Sequence, residues 1–500
     1  MPTRHLVAGT TALALAAGIT IAAQVAAPPQ AETPSTRGIV KKGKVPISND
    51  VLKIKLPRAA EADLSNGIHL LVLEDHRAPQ IQFQLIIPGA GGYFDPLLES
   101  GLASMTAALM REGTTSKTSS EISQQLEVMA ASLTIGAGTS SPEATISGSS
   151  LTDQVTKLLD LAVDVVLHPT FPEEELVRYK QRARAQLSQQ RTNPSFLAAE
   201  MFSRAVYGSH PAARMGLTAA GLDRITRDDV VDFYRTHYMP ANAVLAVAGD
   251  VSMFQARAVL EGKLAAWKNP TTIVTRGVAD PDPISGPKIY FIARPNAVQT
   301  NLIVGTQAVE RTDPDYDALV VMNKIVGGGP TGRLFIHLRE EKGYTYGASS
   351  GLVAPRFRGE WQASTNVRTE VTEPALHDLL DEIRQIREVP VSDEELADAK
   401  RSLTSQYALE LESPAQLLSL SVNRWRYKLP ADYYDRYAER INAVTKEQVQ
   451  AMANKYLAAD RLQVVAVGDP ARVADMLKKI GPVETYDTDG KKISESPQRN

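Results

Sequence analysis

The sequence predicts an α+β fold made of two homologous domains that arose by duplication. The first observation is a repeat: the run ITRD at 225–228 returns as VTKE at 444–447, and strand-like runs ending in Gly-Asp follow both at the same offset of 219 residues. The second is the order of the patterns, because each half starts with strands and continues with helices, as in a two-layer α/β sandwich. Solenoid repeats span only ~20–50 residues, so this period indicates duplication of a whole domain.

Hydrophobic patterns place the elements of each half in the same order. In the first half, Asn66-Gly67 is a hairpin-turn signal, and strand-like runs follow at 68–73 and 81–87. Further patterns there predict helices at 97–111 and 119–131, strands within 132–150 and helices within 151–206. The second half repeats them, with strands near 288–293 and 301–309, helices near 314–326 and 331–341, strands within 345–369 and helices from 373 onward. We therefore expect mixed, largely antiparallel sheets with helices on one face.

The segment boundaries follow from changes in composition. Prolines at 281, 283 and 287 mark the join between the two halves. Polar residues are frequent before the first half, at 28–47, and after the second half, from 484 onward. The predicted segments are a signal peptide (1–27), a polar tether (28–47), an N-terminal domain (48–275), a linker (276–285), a C-terminal domain (286–483) and a polar tail (484–500).

The N-terminal segment has the pattern of a secretory signal peptide. Arg4 gives a basic start, an Ala/Leu/Ile-rich run extends from Leu6 to about Ala22, and small residues near Ala23 and Ala27 offer cleavage sites. We therefore expect a periplasmic protein, whereas an uncleaved segment would anchor the chain in the inner membrane. No other run approaches the ~20 apolar residues of a membrane-spanning helix.

Charge and cysteine content exclude several functions. With 54 basic and 57 acidic side chains the formal charge is −3, so no basic excess is available for phosphates and we expect no nucleic-acid partner. The chain has no cysteine, which excludes disulfides, thiolate nucleophiles and cysteine-ligated metals. A metal ion would need the eight histidines and the carboxylates, but no two histidines are three or four residues apart.

One run in the first half resembles a known family. Gly101-Leu102-Ala103 and Gly113-Thr114 match, with the same spacing, a segment of the pitrilysin/insulinase-type zinc metallopeptidases (inverzincins), and the chain resembles their bacterial processing-peptidase-like branch. The resemblance implies two metallohydrolase-like sandwich domains. In that family this helix contains H-x-x-E-H, whose histidines bind zinc and whose glutamate activates water. Here these positions hold Ser104, Ala107 and Ala108, none of which can bind zinc or accept a proton.

The same helix is also consistent with ordinary packing. Leu102, Met105 and Leu109 form an i, i+3, i+7 core stripe, and the resemblance implies that the face with the three substituted positions lines a cleft without its metal. The family's third ligand is a glutamate further along the chain, yet residues 176–199 contain no acidic side chain. The resemblance therefore implies no zinc and no catalytic residue here, and we expect the chain alone to be inactive.

The second half keeps a pair of residues that the family uses to bind substrate. A glycine-rich run at 327–332 and the run LREEKGYTY at 338–346 are similar to the family's second-domain signature. The resemblance assigns substrate binding to Arg339 and Tyr346, whose guanidinium and hydroxyl can donate hydrogen bonds to a peptide carbonyl or carboxylate. In the structural alternative, Arg339 satisfies carbonyls at a helix end and Tyr346 lies in an ordinary strand.

These features predict a non-catalytic, substrate-binding subunit of a periplasmic zinc metalloendopeptidase complex. In the family's two-subunit enzymes one subunit has the zinc motif, so the resemblance implies a homologous partner with an intact H-x-x-E-H, zinc in that partner, and peptide substrates. The run 132–137 resembles the family's edge strand, which receives peptides by β-addition; a plain sheet edge is the equal alternative. The rival functions are a peptide-binding or scaffold protein without a role in proteolysis, and a metal-dependent peptidase that acts alone.

Overall fold

Two six-stranded mixed sheets form the centres of two similar halves. The structure, a computed structural model, describes residues 51, 53–269 and 277–493, which belong to one compact unit. We call 53–269 half one and 277–493 half two. The predicted signal peptide and tether lie outside the described residues. Within the described ranges, no helix combines the length and the apolar character that crossing a membrane requires.

The strands of half one are β1 (Ala60–Asp63), β2 (His69–Glu74), β3 (Gln80–Pro88), β4 (Ser132–Ala137), β5 (Glu143–Leu151) and β6 (Val244–Gly249). They lie in the order β1-β2-β6-β3-β5-β4, and only β2 and β6 run parallel. The Asn66-Gly67 turn joins β1 to β2. Because β6 lies between β2 and β3, the two strands predicted after this turn are not paired with each other.

The strands of half two are β7 (Lys288–Ala293), β8 (Gln299–Gln307), β9 (Thr345–Val353), β10 (Glu360–Arg368), β11 (Gln463–Gly468) and β12 (Val483–Tyr486). They lie in the order β12-β7-β11-β8-β10-β9, with β7 parallel to both β11 and β12. The predicted α+β class with mixed, largely antiparallel sheets is confirmed. Residues 484–486, predicted as the start of a polar tail, instead belong to β12 because they pair with β7.

The helices of half one are α1 (Leu102–Leu109), α2 (Ser119–Val128), α3 (Val155–Leu167), α4 (Glu173–Thr192), α5 (Pro194–Tyr207), α6 (Ala219–Arg224), α7 (Arg227–His237) and α8 (Met253–Leu264). Those of half two are α9 (Tyr316–Val326), α10 (Arg333–Phe335), α11 (Thr372–Glu388), α12 (Asp393–Glu410), α13 (Pro414–Arg426), α14 (Tyr437–Ala443), α15 (Lys446–Tyr456) and α16 (Pro470–Ile480). A π-helical turn, Ile336–Glu341, continues α10.

The repeated sequence landmarks are the starts of corresponding helices. Thr226 caps α7 and Thr445 caps α15, and each threonine forms a capping box with the residue three positions on, Asp229 or Gln448. Each of these helices leads to a central strand, β6 or β11, that is buried along its whole length. The repeat seen in the sequence therefore marks the same helix–strand unit in both halves.

One face of each sheet is covered by helices of the same half, and the other face is covered by a helix from the opposite half. The helix α5 of half one packs on β8 and β11 of half two, where Phe202 joins Ile303 and Val465 in one apolar cluster. In return, α13 of half two packs on β2 and β6 of half one, where Val422 joins Ile86. The prediction of helices on one face thus holds for each half's own helices, and the exchanged helix covers the second face.

Candidate functional site

The helix that contains the motif positions begins at a buried carboxylate. Asp95 accepts hydrogen bonds from the backbone N–H groups of Gly101 (2.6 Å) and Ala103 (2.8 Å), and Gly101 has a φ of 104°. This cap explains why α1 begins at Leu102, later than the helix predicted at 97–111. Burial raises the pKa of Asp95 to about 6, although the two N–H groups act in the opposite direction.

The three motif positions do not share one exposed face. Ala107 is fully buried in the core of half one, whereas Ser104 and Ala108 are partly exposed. The hydroxyl of Ser104 donates a hydrogen bond to the backbone oxygen of Ala137 at 2.5 Å. The expectation that all three line a cleft is therefore wrong for Ala107, whose methyl group fills core space.

The residues around α1 do not fit a zinc ion, which needs nitrogen, sulfur or carboxylate ligands. The neighbouring helix α4, where the family's third ligand is expected, presents Arg182, Arg184 and Gln186 on its exposed side. Arg184 is itself paired with Asp223 at 2.5 Å. Within the described parts of the chain, no three histidine or acidic side chains are grouped so that they could hold a metal ion.

Arg339 lies on the π-helical turn, which follows a well-anchored helix. Arg333 of α10 makes two hydrogen bonds with the carboxylate of Glu395, at 2.8 and 3.1 Å. The guanidinium of Arg339 is half-exposed; its Cζ lies 4.6 Å from the ring centre of Phe335, and one nitrogen is 3.5 Å from Glu340. π-Helical turns are rare and are frequent at functional sites.

The contacts of Arg339 do not match the structural alternative. The carbonyl of Gly343, at the end of the turn, accepts a hydrogen bond from Arg368 at 3.1 Å. Among the described residues, Arg339 donates to no backbone carbonyl, and the contacts of its guanidinium are with Phe335 and Glu340. The guanidinium therefore keeps most of its donors available for a bound molecule.

Tyr346 lies at a bulge in β9 and is 92% exposed. Between the pairs Ala348–Thr365 and Thr345–Val367, two residues of β9 oppose one residue of β10. A bulge of this kind breaks the alternation of side chains and turns one of them away from the sheet. Tyr346 therefore does not behave as a residue of a regular strand, which was the structural alternative.

The turn that follows the π-helix connects the segment with Arg339 to the segment with Tyr346. The N–H groups of Gly343 and Tyr344 donate to the carbonyls of Arg339 (3.1 Å) and Leu338 (3.0 Å), which ties the start of β9 to the end of the helix. In this part of the described chain, no hydrogen bond or cation–π contact joins the two side chains. Both are thus free to contact a third molecule.

A groove of about 600 Å³ adjoins this turn, between the start of α5 and the strands β8 to β10. Its lining includes Phe335, which contacts Arg339, and Gly347, which follows Tyr346, but neither Arg339 nor Tyr346 itself. Asn301, Gln362 and Asn366 add polar side chains. These three amides were not predicted from the sequence. Polar residues at alternate positions of β10 were the available signal, because alternate residues of a strand share one face.

Strand β4 is a sheet edge, as predicted, but its free side is partly occupied. The carbonyls of Leu133 and Ala137 accept hydrogen bonds from Arg111 (2.8 Å) and Ser104 (2.5 Å). These carbonyls are four residues apart, so they point to the same side of the strand. A peptide that added to β4 would have to displace both side chains, which favours the plain-edge alternative in half one.

Comparisons with known proteins identify the family. The model of "Insulinase (Peptidase family M16)" matches residues 70–218, and that of "Peptidase M16 inactive domain" matches 224–403. A crystal structure of a peptidase M16 inactive domain from Pseudomonas fluorescens is 30% identical with a TM-score of 0.75, and the match covers 82% of this chain and 98% of that one. The chain belongs to the M16 (insulinase) family. The resemblance inferred from the sequence motifs is confirmed.

Other similar proteins are less similar in sequence. An uncharacterized zinc protease of Streptomyces coelicolor is 28% identical over 60% of this chain and 67% of its own length. The uncharacterized zinc protease YmxG of Bacillus subtilis is 21% identical over 79% of this chain and 95% of its own. A protease from Helicobacter pylori shares the fold, with a TM-score of 0.76 at 16% identity over 82% of this chain and all of that one.

Proposed function

We propose that this M16 chain is the non-catalytic, substrate-binding subunit of a periplasmic zinc endopeptidase complex. A homologous partner with an intact H-x-x-E-H supplies the zinc. The observation that carries the proposal is the exposed pair Arg339 and Tyr346 beside a polar groove, in a chain whose motif positions hold serine and alanine. The similarity to a structure described as an M16 inactive domain supports it.

The chemistry of the pair suits an extended peptide. The guanidinium of Arg339 rests on the Phe335 ring, which leaves its edge free to donate charged hydrogen bonds to a backbone carbonyl or a terminal carboxylate. The hydroxyl of Tyr346 can donate to the same oxygen. Amide side chains in the groove, such as Gln362 and Asn366, can hydrogen-bond the peptide backbone without selecting its sequence. These residues bind and orient the peptide, and the partner performs the hydrolysis.

Reconstitution with the partner tests this function. The chain is co-expressed with a homologue that has H-x-x-E-H, the complex is purified, and cleavage of unstructured peptides is measured. We expect activity only in the mixture, with kcat/KM reduced about 10- to 100-fold by Arg339→Ala and several-fold by Tyr346→Phe. Arg384→Ala is a matched control, because Arg384 is an exposed arginine of half two on α11.

Two results would contradict the proposal. If the partner alone is as active as the mixture, the chain does not contribute to proteolysis, and the scaffold alternative accounts for it. If the isolated chain cleaves peptides and a chelator stops the reaction, the chain is a peptidase in its own right. Thermal unfolding of the variants shows whether a lost activity reflects lost binding, since substitutions of these exposed side chains should leave stability nearly unchanged.

A further inference from the structure

A second cavity, of about 550 Å³, lies between the two halves and is separate from the groove beside Arg339. Corresponding residues of the two halves line it. Glu143 is the first residue of β5 and Glu360 is the first residue of β10, while Tyr207 and Tyr427 lie at the ends of α5 and α13. The duplication therefore places two equivalent carboxyl groups in one cavity.

The carboxyl group of half one is compensated by arginines of half two. Arg426, in the last turn of α13, donates a hydrogen bond to Glu143, and Arg356 donates to the backbone oxygen of Arg426. Burial raises the pKa of Glu143, and the charges of Arg426 and Arg356 oppose that rise. At this end of the cavity, the buried carboxylate has positive partners within the chain.

The equivalent carboxyl group of half two lacks such partners. At the position of Arg426, half one has Val206, and the loop 138–142 that corresponds to the loop with Arg356 contains no basic residue. Glu360 is only 9% exposed, and one of its oxygens has no hydrogen-bond partner among the described residues. Burial raises its pKa to about 7, and a hydrogen bond from the Tyr207 hydroxyl is the one influence that lowers it.

Aromatic rings form the walls at this end of the cavity. The ring centre of Phe357 lies 5.9 Å from that of Tyr93 and 6.2 Å from that of Tyr207. His210 packs on Phe357 with ring centres 4.5 Å apart, and burial lowers the pKa of His210. Its Nδ1 accepts a hydrogen bond from the Ala212 N–H, as the neutral tautomer requires.

We propose that the Glu360 end of this cavity binds an organic cation, through an ammonium or guanidinium group. A buried carboxylate without a positive partner costs free energy, and a bound cation removes that cost by supplying the missing charge. Aromatic faces add cation–π attraction, and a cavity of this volume suits a small ligand or a single side chain. The site does not depend on the partner subunit or on Arg339, so its test is independent of the test of the proposed function.

Calorimetric titration of the purified chain, without any partner subunit, tests the site. The probes are agmatine, the peptide acetyl-Gly-Arg-Gly-amide, and the same peptide with citrulline, which has the shape of arginine without its charge. We expect agmatine or the arginine peptide to bind at least tenfold more tightly than the citrulline peptide. Tighter binding of agmatine indicates a free small amine as the ligand, and tighter binding of the arginine peptide indicates a basic side chain.

Glu360→Gln keeps the shape of the side chain and should weaken binding of the cationic probe at least tenfold. Phe357→Leu should weaken it several-fold through loss of the ring, and it serves as a second variant if the first fails to fold. Glu388→Gln, an exposed acid on α11, should leave binding unchanged. Equal binding of the arginine and citrulline peptides, unchanged binding in Glu360→Gln, or no binding of either cationic probe would overturn the proposal.

Discussion

Apart from the edge strands β1 and β12, half one and half two follow the same order of elements, but their backbones differ around the candidate sites. In half one, α2 is a regular α-helix with a capping box, and β4 pairs with β5 without a shift in register. In half two, the corresponding segment is α10 with a π-helical turn, and β9 contains a bulge. Such irregular backbone costs free energy and is concentrated at functional sites. The comparison shows regular geometry in α2 and β4, and irregular geometry in the corresponding elements of half two, where the predicted binding residues are exposed.

The exchanged helices reveal a second difference, in how volume is distributed. On the sheet of half two, the large residue Phe202 of α5, the helix from half one, fits over Gly305 of β8. An added Cβ on Gly305 would lie 2.6 Å from the Phe202 ring. On the sheet of half one, the corresponding residues are Val422 of α13, the helix from half two, and Ile86 of β3. Here the smaller residue is on the helix and the larger one is on the sheet. The two interfaces thus achieve similar packing with opposite choices of residue size.

Truncation of these helix residues should have the largest effect on the free energy of unfolding. Phe202→Ala is expected to lower the free energy of unfolding by about 3–5 kcal/mol, because it leaves a cavity over a glycine. Val422→Ala should cost about 2 kcal/mol, because it removes only two methyl groups. Urea denaturation measures both, with the exposed Val128→Ala on α2 as a control. Equal costs for the two buried variants would show that the interfaces are not packed in opposite ways.

The paired glutamates offer the next test. The pKa of Glu360 is raised by burial from 4.5 to about 7, so the folded chain binds more protons than the unfolded chain between these values. Stability should therefore fall by roughly 3 kcal/mol as the pH rises through this window, at 1.36 kcal/mol per pKa unit. Glu360→Gln should remove that part of the pH dependence and be more stable than wild type at pH 8.

The equivalent glutamate in half one should show a smaller pH effect. Burial also raises the pKa of Glu143, but the charges of Arg426 and Arg356 oppose that rise. Glu143→Gln should therefore remove less of the pH dependence of stability than Glu360→Gln does. Melting temperatures at pH 5 and pH 8 for both variants and wild type make the comparison. Equal losses of pH dependence in the two variants, or a Glu360→Gln variant with the wild-type pH dependence, would contradict the difference between the two carboxyl groups.

The edge of half one gives the smallest of these effects. Ser104→Ala removes one hydrogen bond to Ala137, which should cost about 1 kcal/mol or less because water can replace the donor at a partly exposed site. Ser188→Ala, on the exposed side of α4, is the control. A cost well above 1 kcal/mol would mean that Ser104 holds the edge strand in place more firmly than its single contact indicates.

Much of the fold could be predicted from the sequence because the duplicated landmarks are helix starts. The threonines at 226 and 445 form capping boxes, and such boxes are recognisable in sequence. The exchange of α5 and α13 could not be predicted, because an apolar helix face does not reveal which sheet covers it. Strand β12 was missed because Glu484 made a short, half-exposed strand resemble a polar tail.

The site was predicted less completely. The motif spacing located Arg339, Tyr346 and the three substituted positions, but a pattern of residue types does not show burial. Ala107 therefore turned out to belong to the core. The π-helical turn and the bulge arise from hydrogen bonds between the helix and β9 and from pairing with β10, which local patterns do not encode. The polar groove and the cavity at Glu360 depend on the packing of distant segments.

One measurement tests the central claim most directly. It is the kcat/KM of an H-x-x-E-H homologue for an unstructured peptide, determined alone, with the wild-type chain, and with the Arg339→Ala chain at saturating concentration. The account predicts low activity alone, high activity with the wild-type chain, and about 10- to 100-fold less with the variant. Full activity of the homologue alone, or equal activity with both chains, would contradict it.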